Sequence, residues 1–180
     1  WFMLRHFGAE RVAILDGGLG KWRAEGRGLA AGEVPPRPRK PSALTTSETS
    51  VRTKVQMLDN VGSEAEQVID ARDAARFTGE TVDTVHSLPG GHMPGSRHLF
   101  FRDLYNEDGT FKSASRLREA FAAAGIDLER PIVTTCGSGV TASVLLFALH
   151  RLGVNDAALY DGSWTEWGAD PETPKATGAA

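Results

Sequence analysis

Pro131-Ile132-Val133-Thr134-Thr135-Cys136-Gly137-Ser138-Gly139-Val140-Thr141 is the stretch on which the fold turns. A β-rich run from Pro131 ends at Cys136, two glycines follow, and Val140 to Leu152 is a strongly apolar helix closed by Gly153. Ala157 to Tyr160 reads as the next strand. Upstream, Gln67 to Ala71 is a short apolar run ending at a charge, so a buried strand. Ser50 to Val61 places Val51, Val55, Leu58 and Val61 at helical intervals. Gly90 to Gly95 is a loop by its glycines and proline. Ser113 to Ala124 reads as a helix, with Ser113 or Ser115 as cap, a stripe of Leu117, Ala120, Phe121 and Ala124, and Gly125 as stop. Strands alternating with helices predict an α/β domain with a mainly parallel sheet flanked by helices. Ligands of such sheets bind at the carboxyl ends of the strands, and Cys136 falls at one of them.

A repeat frames this domain. Leu15-Asp16-Gly17-Gly18-Leu19-Gly20-Lys21-Trp22 and Tyr160-Asp161-Gly162-Ser163-Trp164-Thr165-Glu166-Trp167 share Asp, Gly and Trp at one offset of 145 residues. The same offset aligns Leu4 with Leu149, Phe7 with Leu152 and Gly8 with Gly153. Both copies read as helix end, glycine cap, short strand, Asp-Gly turn and Trp-bearing helix. A period this long indicates a duplicated domain rather than a solenoid. Residues 1–31 are then expected to be the C-terminal remnant of a first domain; with no starting Met and an opening inside a helix, the chain reads as a fragment. Residues 32–41, with Pro35, Pro36, Pro38 and Pro41, read as a stiff linker. Residues 42–172 form the complete domain, and the small, proline-containing tail 173–180 is expected to fray.

Composition narrows the function classes. The chain has 180 residues, 41% hydrophobic and 24% charged, with net charge −3, the profile of a folded globular protein. Its basic residues are scattered apart from Arg37-Pro38-Arg39-Lys40, which reads as solvated linker, so no nucleic-acid partner is expected. No apolar run reaches the roughly 20 residues of a membrane span, and no signal peptide stands out. The expected location is cytoplasmic, where the lone cysteine stays reduced. One Cys and five dispersed His show no ligand spacing, so no metal site is expected.

Cys136 carries the chemistry. Gly137 and Gly139 let the backbone curl through positive φ, so that successive N–H groups form an anion-binding nest beside the positive end of the following helix. A thiol there is pushed towards thiolate, the nucleophilic form. The competing reading is a buried structural cysteine. Cysteine phosphatases also use such a loop, but they need an Arg six positions after the Cys; here that residue is Ala142, and no Arg occurs in 137–150. A phosphate dianion would lack its bidentate partner. Sulfur transfer needs only the nest and a good leaving group.

Taken in order, Asp70-Ala71-Arg72, Arg76-Phe77-x-Gly79, Gly91-His92-Met93-Pro94-Gly95, Cys136 to Thr141 and Tyr160 to Trp164 resemble the tandem-domain rhodanese family, and more closely its 3-mercaptopyruvate sulfurtransferase branch. The resemblance covers nearly the whole chain. It implies a five-stranded, mainly parallel rhodanese-like sheet, an active site between two domains, and no cofactor. It implies a Cys136 persulfide that takes sulfur from 3-mercaptopyruvate and passes it to a thiol acceptor, such as a thioredoxin-like protein, or to cyanide. The alternatives are thiosulfate as donor and a non-catalytic module of the same fold. Thiosulfate-preferring members carry cations inside the loop, whereas Gly137 and Ser138 are uncharged. The resemblance makes Gly137, Ser138, Gly139, Val140 and Thr141 the substrate-binding loop, through N–H groups and the hydroxyls of Ser138 or Thr141. It pairs Arg76 with the substrate carboxylate. The family's second arginine, nine residues on, is replaced by Val85 beside His86. The family also brings a His and an acidic residue to the site from the first domain, in the portion expected to be missing here.

Other residues have plainer readings. Arg72 is expected to pair with Asp70, and His92 to be a structural hydrogen-bonding residue. Trp167 belongs to the core, and Trp164 either to the core or to the cleft. Asp16 and Asp161 are expected to cap the helices that follow them.

Overall fold

A computed structural model describes residues 1–33, 36 and 45–179. Most of the proposed linker, residues 34, 35 and 37–41, and the proposed domain start at 42 therefore lie outside the described residues. Two short helices come first, α1 (Phe2–His6) and α2 (Gly18–Ala24). The domain follows as α3 (Lys54–Ser63), β1 (Gln67–Asp70), α4 (Ala74–Thr78), β2 (Arg97–His98), α5 (Ala114–Ala123), β3 (Ile132–Thr135), α6 (Ala142–Arg151), β4 (Ala158–Leu159) and α7 (Ser163–Trp167).

The sheet is parallel, in the order β2-β1-β3-β4. Among the described residues it has four strands where five were expected; beyond β4 a single parallel bridge, Val51 to Leu159, holds the fifth place. Successive strand residues face opposite layers. Ile69, Ile132 and Leu159 join Leu117, Phe121, Leu145 and Leu149 on one side. Val68, Val133 and Ala158 join Met57, Trp164 and Trp167 on the other. Helices cover both faces, as a fully buried parallel sheet requires. The chain leaves β1 to one side for β2 and returns to the other side for β3. Between β1 and β3 the strand order therefore reverses, and a crevice opens at their carboxyl ends. Asp70 pairs in register with Thr135 there, one residue before Cys136.

Several boundaries differ from the expectations. The helix expected from Ser50 begins at Lys54, because Thr53 and Gln56 form a reciprocal capping box. Its buried face is Met57 and Asn60, whereas Val55 and Leu58 are exposed and Val51 lies outside it in the bridge to Leu159. Ser113 caps α5 as expected. Residues 173–179 make contacts back to the domain. His92 and Ala176 exchange N–H···O bonds of 2.8 and 2.9 Å, the Gly178 N–H donates to Thr78, and Thr173 is buried.

The first copy of the repeat keeps its helices and its glycine at positive φ (Gly8, 85°; Gly153, 91°), but residues 12–15 form no strand. In the second copy the corresponding run pairs with β3. The expected caps are also absent. Asp16 accepts the Phe111 N–H at 2.9 Å and Asp161 accepts the adjacent Gly162 N–H at 3.0 Å, so neither closes its helix. The Asp16 bond, with Lys21 to Asp108 at 3.1 Å and Trp1 edge-on to Phe147, seats residues 1–31 on the domain.

Candidate active site

Cys136 opens the loop from β3 to α6 and is only 2% exposed. It is buried, as the structural reading held, yet it stands beyond the strand end, as the nucleophile reading requires. The loop is held from below by α7. The Cys136 carbonyl accepts the Trp164 N–H at 3.0 Å, and the Gly137 carbonyl accepts the Thr165 N–H at 2.9 Å and the Thr165 hydroxyl.

The hub of this support is Ser163, fully buried at φ 49°. Its Oγ accepts the N–H groups of Cys136 (3.2 Å) and Gly139 (3.0 Å) and the Thr135 hydroxyl (3.3 Å), and donates to the Tyr160 carbonyl at 2.8 Å. Sequence reasoning passed over Ser163. The signal available was the repeat, which sets Gly18 at the same position with φ 58°, a left-handed backbone that glycine tolerates best.

Ser163 also corrects one expectation. The Gly139 N–H was assigned to substrate, but it is committed to Ser163. Gly139 instead shapes the loop: at φ 77° an added Cβ would lie 3.2 Å from the Asp161 backbone. The N–H groups of Gly137, Ser138, Val140 and Thr141 have no partner among the described residues. Ser138 and Val140 are exposed, and Thr141 starts α6 without a side-chain cap.

A second loop, residues 79–91, lies against the first. The His86 imidazole covers Gly137 so closely that a Cβ there would overlap the ring, falling 2.9 Å from Nε2. His86 Nδ1 is 2.9 Å from Asp83 Oδ2, and Asp83 is fully buried. Asp83 Oδ1 also accepts the N–H groups of Val85 and His86 and, at 3.4 Å, Arg76 Nη1. Burial alone would raise the Asp83 carboxyl, but the His86 hydrogen bond and the charges of His86 and Arg76 outweigh it and hold it below its ordinary value. Asp83 is thus an ionised acceptor, and the proton between the pair sits on Nδ1.

Arg76, on α4, is tied by Nε to Asp73 at 2.6 Å as well as to Asp83. Through Asp83 and His86 it belongs to the network beside the Cys136 loop. Arg72 pairs with Asp70 as expected, with Nη2 2.5 Å from Oδ2, donates to the Gly91 carbonyl and stands 4.5 Å above the Trp164 ring. Trp164 is a core residue: it is 1% exposed and its Nε1 donates to Pro89. His92 is structural, stacked on Phe77 and donating from Nδ1 to the Phe77 carbonyl at 2.8 Å. Among the described residues no group of three or more His, Cys, Asp or Glu is placed to hold a metal ion, and no helix is long and apolar enough to cross a membrane.

An uncharged N–H nest opening on a cysteine, with a carboxylate-bound imidazole over it, suits attack by sulfur on a small anionic compound. Known sulfurtransferases are similar to the chain. A rhodanese-like domain matches residues 53–170. The chain is 38% identical over 194 aligned positions to the thiosulfate/3-mercaptopyruvate sulfurtransferase 1, mitochondrial, of Arabidopsis thaliana, covering 97% of this chain and 51% of that protein. It is 40% identical over 174 positions to the 3-mercaptopyruvate sulfurtransferase of Escherichia coli K12, covering 97% and 61%. A crystal structure of a 3-mercaptopyruvate sulfotransferase from Escherichia coli superposes with a TM-score of 0.79 at 38% identity, over 91% of this chain and 60% of that one. The chain therefore spans between half and two thirds of the length of these relatives.

Proposed function

The chain belongs to the rhodanese family, and from that premise we propose that it carries the sulfur-accepting domain of a 3-mercaptopyruvate sulfurtransferase with Cys136 as nucleophile. The Cys136 thiolate attacks the donor sulfur, an S–S bond forms, and the C–S bond breaks. The electron pair leaves on carbon, which takes up a proton to give pyruvate. A thiol acceptor then attacks the outer sulfur of the persulfide, the S–S bond breaks, and Cys136 departs as thiolate. No cofactor takes part. A small thioredoxin-like protein suits the acceptor role, and a lone reduced thiol suits the cytoplasm.

The observation that carries the reading is the set of N–H groups at Gly137, Ser138, Val140 and Thr141, which lack protein partners among the described residues and stand beside Cys136. Such groups stabilise negative charge on a persulfide and on the departing enolate. Arg76, in the network beside the loop, serves the donor carboxylate. The absence of a cation at 137 or 138 favours mercaptopyruvate over thiosulfate, which presents a sulfonate-like dianion to its site. Residues 1–31 are read as the end of a first domain joined by residues 32–41.

Mass spectrometry after incubation with each donor tests the proposal. Cys136 is expected to gain one sulfur atom, faster from 3-mercaptopyruvate than from thiosulfate, and Cys136→Ser to gain none. Sulfur transfer at full rate by Cys136→Ser would refute the nucleophile, and faster loading from thiosulfate would refute the donor assignment. No loading from either donor would support a non-catalytic module.

A further inference from the structure

We propose that His86 is a donor-binding residue of this site, meeting the carboxylate of the sulfur donor above the Cys136 loop, with Asp83 as the residue that positions it. The inference rests on the sulfurtransferase reading for the identity of the donor, but its geometry is independent of that reading.

Three observations carry it. First, the His86 ring lies on Gly137, the residue following the nucleophile, and leaves no room there for a side chain. Whatever enters the loop beside Cys136 enters beside this imidazole. Second, the ring is fixed. Nδ1 donates to a fully buried carboxylate whose other oxygen accepts the His86 and Val85 N–H groups. With Nδ1 engaged, Nε2 is the nitrogen left for a ligand, and no described residue bonds to it. A side chain immobilised in this way loses little further entropy on binding. Third, the loop contains no charge of its own. Val85 beside His86 and Val140 in the loop are both 71% exposed and apolar. Arg76, the nearby cation in the network, has Nε on Asp73 and Nη1 on Asp83. In its imidazolium form, with the buried Asp83 carboxylate as counter-ion, His86 would bring to Gly137 an N–H at Nε2 that neither the loop nor Val85 supplies. Asp83 holds Arg76 and His86 on one carboxylate, so the two side chains stand together beside the loop.

Two measurements separate this proposal from the reading it rests on. In steady-state transfer from 3-mercaptopyruvate, His86→Gln keeps a group able to bond Asp83 but loses the imidazole; KM is expected to rise about tenfold or more with kcat changed less than about threefold. A merely structural His86 would lower kcat, or stability, without that split. In the second measurement the unmodified 180-residue chain is titrated with pyruvate, an unreactive carboxylate, while the His86 ring nitrogens are followed by NMR. Their resonances are expected to move with a saturable dependence, and His86→Gln is expected to weaken pyruvate binding by a similar factor. An unchanged KM in His86→Gln, or ring resonances indifferent to pyruvate, would overturn the proposal. If no donor loads Cys136 but pyruvate still perturbs His86, the anion-binding role stands and the sulfurtransferase reading falls.

Discussion

Replacing Ser163 by alanine is the most direct probe of how the Cys136 loop is held. The substitution deletes one oxygen and leaves two buried backbone donors, the Cys136 and Gly139 N–H groups, without the acceptor they share. An unsatisfied buried polar group costs about 1–3 kcal/mol, so Ser163→Ala is expected to lose about 2–6 kcal/mol. That is a large part of the 5–15 kcal/mol typical of a whole domain. Ser163→Gly loses the same oxygen but relieves a side chain held at φ 49°, a strain of about 1–2 kcal/mol for an L-residue. Glycine is therefore expected to be less damaging than alanine, as Gly18 in the first copy suggests. Urea unfolding at constant m-value measures the difference, and hydrogen exchange at the Cys136 and Gly139 amides reports the loop itself. A loss below about 1 kcal/mol in Ser163→Ala, with both amides still protected, would refute the reasoning.

Two further outcomes follow from the geometry. Gly137→Ala and His86→Ala are expected to be non-additive: the first should destabilise by about 1–3 kcal/mol through overpacking against the ring, and most of that loss should vanish once the ring is removed. Additive unfolding energies in the double-mutant cycle would contradict the contact. At the seam between residues 1–31 and the domain, the Thr110 hydroxyl, the Thr110 N–H and the Lys21 ammonium hold the Asp108 carboxyl down to about 2 from an ordinary 3.8. A depressed acid stabilises the folded state fully above its ordinary value and loses that contribution as pH falls through its folded one. The Lys21 share of that contribution, which crosses the seam, should hold from neutrality to about pH 4 and be lost towards pH 2. The Asp108 carboxyl carbon should titrate near 2 by NMR and move up in Lys21→Ala; a midpoint at or above 3.8 would exclude the link.

Much of the scaffold could be read in advance, and the misses have physical causes. β1, β3 and α6 are legible because their apolar runs stop at charges or glycines. The start of α3 was misplaced because Val51 looks like a helix-stripe residue but serves a sheet bridge, while Thr53 and Gln56, which set the true start, are polar. The tail's small residues do not announce that their backbone pairs with His92. In the site, Cys136 and its glycines are a local signal. His86 is not, since 51 residues separate it from Gly137 and no periodicity links them. Ser163 acts through its backbone angle as much as its hydroxyl, and only comparison with Gly18 hints at that.

The dependence of the loop on Ser163 also has a meaning in time. A growing chain releases Cys136 before the residue that fixes it, which follows 27 positions later. At about 5–20 residues per second the thiol emerges about one to five seconds ahead of its anchor. During synthesis the cysteine therefore passes through an interval in which it is translated but not yet enclosed, before the finished fold limits what can reach it.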